Sequence, residues 1–177
     1  MFPTTIRDAV LADVGAITAI YRPEVTGGTA TFELEPPDAA EMVRRFAAIT
    51  GAGFPYLMAE LDGRLVAYAY AQAFRARPAY RFTVEDSIYV AAEAQGRGVG
   101  KVLLGVLVDR CTALGFRQMI AVIGDSARQG PSMALHRSCG FEVVGRLPAV
   151  GHKHGRWLDS VQMQRALGAG DASPPDG

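Results

Sequence analysis

The chain has 177 residues, of which 49% are hydrophobic and 20% charged, a composition typical of one soluble globular domain and not of a disordered chain. Eighteen basic and eighteen acidic residues leave no net charge, which argues against nucleic-acid binding as the main purpose. No apolar run approaches the length of a membrane span and the N-terminus lacks a signal-peptide pattern, so we expect a cytoplasmic protein with no membrane partner.

The first half of the chain carries the patterns of a short strand, two helices and an antiparallel meander. Asp38 follows two prolines where a helix cap is expected, and Glu41 comes three residues later. Asp62-Gly63 separates two runs of strand-forming residues, which is typical of a tight hairpin. We therefore expect a strand at 4–9, helices that begin after Asp13 and Asp38, and strands at 56–61, 65–73 and 82–90.

The second half alternates strands with helices. Apolar spacing predicts a helix at 99–114 that Gly115 ends, and its buried face would carry Val102, Leu103, Val106, Leu107 and Leu114. We then expect a strand at 118–123, a helix at 132–138, and strands at 141–150 and 157–165. This order indicates an α/β fold with a mixed sheet in one domain at 1–167, followed by a disordered tail at 168–177.

A glycine-rich turn precedes the helix predicted at 99–114. It consists of Gln95, Gly96, Arg97, Gly98, Val99, Gly100 and Lys101. Glycines let a pyrophosphate approach the backbone, and the unpaired N–H groups and dipole of a helix N-terminus favour an anion. A plain tight bend is about as common an explanation of such a turn. A dinucleotide-binding fold is disfavoured, because its glycine turn follows the first strand and this one lies past the middle of the chain.

The residues from Gln95 to Gly100 resemble the acetyl-CoA signature of the GNAT superfamily of N-acetyltransferases, which is Gln or Arg, two residues, Gly, one residue, then Gly or Ala. More narrowly, the chain resembles phosphinothricin and methionine sulfoximine acetyltransferases. The matching segments are 31–32 with 35–36, 74–80, 83–85 before 88–90, 121–124, 135–136 with 140–141, and 151–155 with Trp157. The resemblance extends from Thr5 to Arg165.

The resemblance implies a GNAT fold, a mixed and mostly antiparallel sheet with a splayed central strand pair flanked by helices. It implies acetyl-CoA as co-substrate, with its pantetheine arm in the gap between those strands, paired with backbone groups of Ile88, Tyr89 and Val90. The turn from Gln95 to Lys101 would hold the pyrophosphate. Gln129 stands where the family usually has an Asn that contacts the cofactor.

Two residues are candidates for proton transfer. Glu85 lies just before the cofactor segment, where a carboxylate would accept the ammonium proton directly or through water; an ordinary ion pair or a solvent-facing strand residue is the alternative. His136 occupies the place where many relatives carry a tyrosine near the thioester sulfur, and an imidazole suits proton transfer near pH 7. A structural histidine bonded to backbone is nearly as common. The Val90 N–H, or one close by, would stabilise the oxyanion.

Further residues would bind the substrate. The guanidinium groups of Arg75 and Arg77 suit a carboxylate or phosphinate, and Arg77 with Tyr80 matches the family better than Arg75 does. Phe32 and Phe74 would form walls of the pocket, although plain packing is the commoner role of aromatic residues at such places.

The segment 151–155 brings two histidines near Lys153. We expect no metal, because three ligands with suitable geometry are missing. The resemblance instead puts this turn, with His152, at the substrate mouth and at a homodimer contact in which Trp157 would take part.

The sequence thus predicts an acetyl-CoA-dependent N-acetyltransferase whose substrate is the primary amine of a small amino-acid-like molecule. A protein N-terminal or lysine acetyltransferase is one alternative, and it would need an open groove for a peptide. A non-catalytic acetyl-CoA-binding module is another, and it would keep the glycine turn while losing Glu85 and His136.

Overall fold

The computed structural model describes residues 4–175, and these contain seven β-strands and four α-helices. The strands are β1 (Thr5–Asp8), β2 (Tyr56–Leu61), β3 (Arg64–Ala73), β4 (Thr83–Val90), β5 (Gln118–Gly124), β6 (Glu142–Lys153) and β7 (Arg156–Ala166). The helices are α1 (Val14–Thr26), α2 (Ala39–Gly51), α3 (Val99–Ala113) and α4 (Gly130–Ser138). All seven strands belong to one sheet, in the order β1-β2-β3-β4-β5-β7-β6.

The centre of the sheet is the one place where neighbouring strands are parallel. β4 and β5 pair from Thr83 opposite Gln118 to Asp86 opposite Ala121, and there the pairing ends. The rest of β4 continues beside β3, and the rest of β5 beside β7. The two central strands therefore separate, which confirms the splayed pair that the resemblance implied.

Apolar side chains cover both faces of the sheet. Helices α1 and α2 pack on one face with Ile17, Val25 and Met42, and α3 packs on the other with Leu103 and Leu107. Burying such residues is the main favourable contribution to folding.

The buried face of α3 differs from the one predicted at two positions. Val102 is 47% exposed and Leu114 is 55% exposed, so both were wrongly assigned to the core. Leu104 and Val108 are buried instead. The buried face of α3 is therefore formed by Leu103, Leu104, Leu107 and Val108. Leu114 lies just past the last helical residue.

Both hairpins close with a two-residue turn whose residues have positive φ, a geometry that matches strand twist. In the first hairpin these are Asp62 (φ 53°) and Gly63 (φ 74°), as predicted. In the second they are His154 (φ 51°) and Gly155 (φ 74°). The predicted end of β6 at 150 was wrong, because Gly151, His152 and Lys153 pair with β7.

The two aspartates predicted at helix starts behave differently. The Asp38 carboxylate accepts from the Glu41 N–H (2.8 Å) and caps α2 as expected. Asp13 precedes α1 without capping it, because its carboxylate accepts from the Val10 N–H (2.8 Å) and pairs with Arg7 (2.7 Å). This pairing holds the pKa of Asp13 below its usual value, with Arg7 the largest cause.

Residues 168–173 form turns and bends after β7, and the Arg117 guanidinium donates to the Ser173 carbonyl and hydroxyl there. The disorder predicted for this tail stays a prediction, and residues 176 and 177 lie outside the described part. Within residues 4–175 no helix combines the length and apolar character that crossing a membrane requires.

Candidate active site

A cavity of about 490 Å³ opens beside the separated ends of β4 and β5. Its walls come from the loop before α2, from the β3–β4 connection and from four strands. The lining residues are Phe32, Leu34, Phe74, Arg75, Glu85, Val122, Leu147, Val150, Gly151, His152, Ser160 and Gln162. Five residues predicted from the sequence, Phe32, Phe74, Arg75, Glu85 and His152, thus share one cavity.

Glu85 is the acidic residue that lines this cavity. Burial raises the pKa of its carboxyl, and the neighbouring Asp86 carboxylate raises it further. Gln72 and Arg75 oppose that rise by stabilising the charged form, but the net direction is upward. A carboxylate with a raised pKa in a cavity is suited to accepting a proton from a bound amine.

The arginines of the β3–β4 connection are divided between two neighbouring spaces. Arg75 lines the Glu85 cavity, and its guanidinium lies 5.0 Å from the centroid of the Phe74 ring. Arg77 and Tyr80 line an adjacent recess of about 540 Å³, which Phe74 and Arg75 also border. Arg77 and Tyr80, which the sequence analysis preferred to Arg75, thus line the adjacent recess, while Arg75 lines the cavity that contains Glu85.

Phe32 forms one wall of the cavity and lies against two glycines. A Cβ atom at Gly151 would overlap its ring, and one at Gly124 would come within 3.1 Å of the opposite ring edge. His152, on β6 beside this wall, packs edge-on against Trp157 with centroids 5.3 Å apart.

The glycine turn lies at the start of α3. Gly96 (φ 71°) and Gly98 (φ 82°) have left-handed backbone, and a Cβ on either would meet nothing within 4 Å. Val99, at the first position of α3, is buried beneath the turn. The turn thus exposes its backbone at the N-terminus of a 15-residue helix, which fits a pyrophosphate.

The side chains of the turn contact other parts of the chain. Gln95 Nε2 donates to the Val90 carbonyl (3.1 Å), so it holds the end of β4 on which Ile88 and Tyr89 also lie. Arg97 is exposed and pairs with Asp62 of the first hairpin (3.3 Å). Lys101 is exposed. At Gly100 a Cβ would come within 3.1 Å of Leu135, so this glycine allows α3 and α4 to approach.

His136 is buried below the point where β4 and β5 separate. Its Nδ1 lies 2.7 Å from the Ser132 carbonyl and its Nε2 lies 3.1 Å from Asp86 Oδ2. Burial lowers the pKa of His136, but the hydrogen bond and charge of Asp86, with the Ser132 carbonyl, raise it overall. Both ring nitrogens have protein partners, an arrangement that matches the structural alternative more closely than a role at the thioester sulfur.

Gln129 precedes α4, and its side chain makes no capping bond there. Its N–H donates to the Asp125 carbonyl (2.9 Å). The loop that carries it is held by two carboxylates, since Asp125 pairs with Arg156, and Asp159 accepts from the Ser126 N–H (2.8 Å). These pairs fix the place of Gln129 in the fold.

Gly151 belongs to the segment 151–155 that the sequence analysis put at the substrate mouth. Sequence reasoning missed six of the cavity residues, namely Leu34, Val122, Leu147, Val150, Ser160 and Gln162. Ser160 and Gln162 are two positions apart on β7 and therefore share a face of the strand. Strand alternation was a usable signal for that pair. The others depend on the register between strands that are distant in sequence.

Comparisons with known proteins agree on one family. Residues 6–162 match the family model described as an acetyltransferase (GNAT) domain. A phosphinothricin N-acetyltransferase of Alcaligenes faecalis is 52% identical over 97% of this chain and 87% of its own length. An L-methionine sulfoximine/L-methionine sulfone acetyltransferase of Pseudomonas paraeruginosa is 39% identical over 96% and 98%. The crystal structure of a GNAT superfamily phosphinothricin acetyltransferase from Sinorhizobium meliloti in complex with AcCoA superposes with a TM-score of 0.94, at 57% identity over 99% and 94% of the two chains.

Proposed function

Because this chain belongs to the GNAT acetyltransferase family, we propose that it transfers the acetyl group of acetyl-CoA to the primary amine of a small amino-acid-like molecule. The substrate is of the phosphinothricin, methionine sulfoximine or methionine sulfone type, as the names of similar proteins suggest. The observation that carries this proposal is one cavity that brings Glu85 and Arg75 together where β4 and β5 separate.

Glu85 acts as the general base. An α-ammonium group is not nucleophilic, so the enzyme must remove a proton before the amine nitrogen bonds to the acetyl carbon. The raised pKa of Glu85 makes its carboxylate a better proton acceptor than an ordinary glutamate. As the C–N bond forms, the C–S bond of the thioester breaks. The acylated nitrogen loses its second proton and the departing thiolate takes one up, so CoA leaves as the free thiol.

Arg75 binds the acidic group of the substrate. Its guanidinium carries two parallel donors that match a carboxylate or phosphinate, and its stacking on Phe74 limits its orientations. Arg77 and Tyr80 extend this binding surface into the adjacent recess, where they receive a longer substrate.

Acetyl-CoA binds from the glycine turn to the separated strands. The residues from Gln95 to Lys101 hold its pyrophosphate, and the backbone of Ile88 to Val90 pairs with the pantetheine arm. Gln129 lies on the loop before α4 and contacts the cofactor from that side. The support for this arrangement is the open backbone at Gly96 and Gly98 and the end of β4–β5 pairing at Asp86.

A competition between substrates tests the proposed function. With acetyl-CoA in excess, release of free thiol is followed for methionine sulfone, methionine sulfoximine, phosphinothricin and a peptide with a free N-terminus. We expect the three amino-acid analogues to have a higher kcat/KM than the peptide. A clear advantage for the peptide would favour a protein N-terminal acetyltransferase, and no thiol release from any amine would favour a non-catalytic module.

The working form is a cytoplasmic homodimer that uses the outer part of β6 and the β6–β7 turn. Strand β6 is an edge of the sheet and carries exposed apolar side chains, among them Val144, Leu147 and Val150. Trp157 next to them is 66% exposed, and such patches commonly mark interfaces. Size-exclusion chromatography with light scattering should give twice the chain mass, and Trp157→Glu should shift the mass toward the monomer.

A further inference from the structure

Lys153 is a charged residue in an unusual place. Only 2% of it is exposed, at the end of β6 beside the substrate cavity. Its ammonium donates to two backbone carbonyls, that of Glu24 at the end of α1 (3.1 Å) and that of Thr31 (2.9 Å). A fully buried lysine usually has a carboxylate partner, but within residues 4–175 no carboxylate oxygen lies within 4.0 Å of it. The hydrogen bonds to these two carbonyls are therefore what stabilises the buried amine of Lys153.

The two carbonyls lie at the two ends of one segment. Residues 27–31 between them contain no helix or strand. The Gly27 and Gly28 N–H groups donate to the Pro23 carbonyl (3.0 and 3.1 Å), which fixes the start of the segment. The Tyr21 hydroxyl adds a bond to Thr31 Oγ1 (2.8 Å), and His154 Nε2 lies 3.1 Å from the Gly28 carbonyl. The rest of the segment is thus held by side chains of α1, of the end of β6 and of the β6–β7 turn.

Phe32 follows Thr31 directly. Its ring lies in a slot over Gly124 of β5 and Gly151 of β6, and any Cβ at Gly151 would overlap it. The ring is 38% exposed and forms a wall of the cavity that contains Glu85. The position of the Phe32 ring consequently depends on the space that Gly124 and Gly151 leave for it. It depends also on the hydrogen bond from Lys153 to the carbonyl of Thr31, the preceding residue.

We infer that Lys153 is a positioning residue for the substrate: by holding the Thr31 carbonyl it keeps the Phe32 ring in the slot over Gly124 and Gly151, and this sets which amine side chains the cavity admits. The inference rests on the proposed function, since it concerns the amine that is acetylated. Lys153 does not touch the reacting atoms and acts through Phe32.

The hold does not depend on the charge of Lys153. Burial lowers its pKa, although the Glu24 and Glu33 carboxylates oppose this. A neutral amine still carries two N–H groups, one for each carbonyl. Lys153→Met keeps a long unbranched side chain at this position but removes the amine that donates to the Glu24 and Thr31 carbonyls.

The test compares alanine at two glycines of the same strand. Gly151→Ala places a methyl group where the Phe32 ring lies, whereas Gly145→Ala would meet only Gln162 Oε1, at 3.7 Å, and neither glycine has positive φ. We expect Gly151→Ala to raise KM for methionine sulfone about tenfold, the scale of one misplaced methyl group in a pocket, with KM for acetyl-CoA unchanged. Gly145→Ala should leave both values as in the wild type.

A double variant connects the effect to Phe32. Phe32→Leu in the Gly151→Ala background removes the overlap, so its KM for methionine sulfone should fall below that of Gly151→Ala alone. Lys153→Met should raise the KM for the amine and leave that for acetyl-CoA unchanged. A folded Lys153→Met with the wild-type KM for the amine would overturn the role of Lys153. Should Lys153→Met fail to fold, Lys153→Gln, which keeps an N–H donor for the carbonyls, takes its place and should raise the KM for the amine less than loss of the donor would.

Two results separate this inference from the proposed function. If wild-type protein acetylates peptides in preference to amino acids, the proposed function fails whatever the variants do. If wild-type protein acetylates methionine sulfone but Gly151→Ala matches Gly145→Ala in both KM values, the inference is overturned. An equal rise in both KM values would also overturn it, since that would indicate a general structural effect.

Discussion

The glycine turn at 95–101 and the slot that holds Phe32 both contain glycines, but the backbone and the space around them differ. Gly96 and Gly98 have positive φ, and a Cβ added to either would meet open space. Gly124 and Gly151 have no positive φ, and a Cβ on either would meet the Phe32 ring. The turn therefore requires glycine for its backbone conformation, and the slot requires glycine for its lack of volume.

This difference corresponds to two parts of the proposed function, the binding of acetyl-CoA at the turn and the binding and deprotonation of the amine in the cavity. The turn is a continuous segment that presents backbone N–H groups, so a bulky anion can bind with little dependence on the rest of the chain. The amine cavity is built from residues on six parts of the chain, and its base, Glu85, is partly buried among them. We expect changes at the turn to alter acetyl-CoA binding, and changes in the cavity to alter the amine and the proton transfer.

Replacing Glu85 by Gln should cause the largest loss of activity. The loss should come from proton transfer at the amine, with acetyl-CoA binding unchanged. Gln keeps the shape of the side chain but cannot accept a proton, so kcat near pH 7 should fall by roughly 10²-fold or more. KM for acetyl-CoA should stay within about twofold of wild type, an order-of-magnitude limit for a site left intact. Initial rates of thiol release with methionine sulfone measure both constants.

The pH dependence sharpens that result. Glu85 must be deprotonated to act, and its raised pKa moves the acid limb of kcat/KM above the ordinary glutamate value of 4.5. The deficit of Glu85→Gln should shrink at high pH, where the amine loses its proton unaided. Glu93→Gln, at an exposed carboxylate before the turn, is the matched control and should behave as wild type. Equal kcat in Glu85→Gln and wild type from pH 6 to 9 would assign the proton transfer to another group.

Gly98→Asp should weaken acetyl-CoA binding without affecting the amine cavity. Acetyl-CoA should raise Tm of the wild type, since a ligand at 100 times its Kd stabilises the folded state by about 2.7 kcal/mol. Gly98→Asp puts a negative charge at the turn and should remove most of that shift, as differential scanning fluorimetry would measure. Gly115→Asp, at the other end of α3 and with similar φ (86°), carries the same backbone strain and should retain the shift. Loss of the shift in both variants would mean that strain, and not the turn, is responsible.

The same contrast explains what the sequence allowed us to predict. The glycine turn, the Asp62-Gly63 hairpin turn and the Asp38 cap are local patterns of two to seven residues, and each was recognisable from its own spacing. Glu85 and Arg75 were found through family motifs. The slot was not found, because Gly124, Gly151 and Phe32 meet only after three distant segments fold together.

The sequence also did not allow us to predict which polar residues become buried through the register between distant strands. Asp86 looks like an ordinary strand carboxylate beside Glu85, yet it points to the opposite face and contacts His136, 50 residues later. His136 was chosen for its place in a motif, and the sequence held no sign that both of its nitrogens would have protein partners. The fold class followed from element order, which tolerates errors of this kind.

The smallest expected effect concerns His136 and is one of stability. Because Asp86 and Ser132 raise its pKa in the folded state against the effect of burial, its stabilising contribution is fully present below the unfolded value of 6.5. That contribution is lost as the pH rises through the folded value, and each unit between the two values is worth about 1.4 kcal/mol. Urea unfolding should therefore show His136→Asn losing more stability relative to wild type at pH 6 than at pH 9. Asp86→Asn removes the charged partner and leaves burial as the largest influence on the pKa of His136, so in that background the excess cost of His136→Asn at pH 6 should disappear or reverse. A cost of His136→Asn that is equal at pH 6 and pH 9 in the wild-type background would mean that the imidazole acts only by packing and neutral hydrogen bonds, and that the Asp86 charge plays no part.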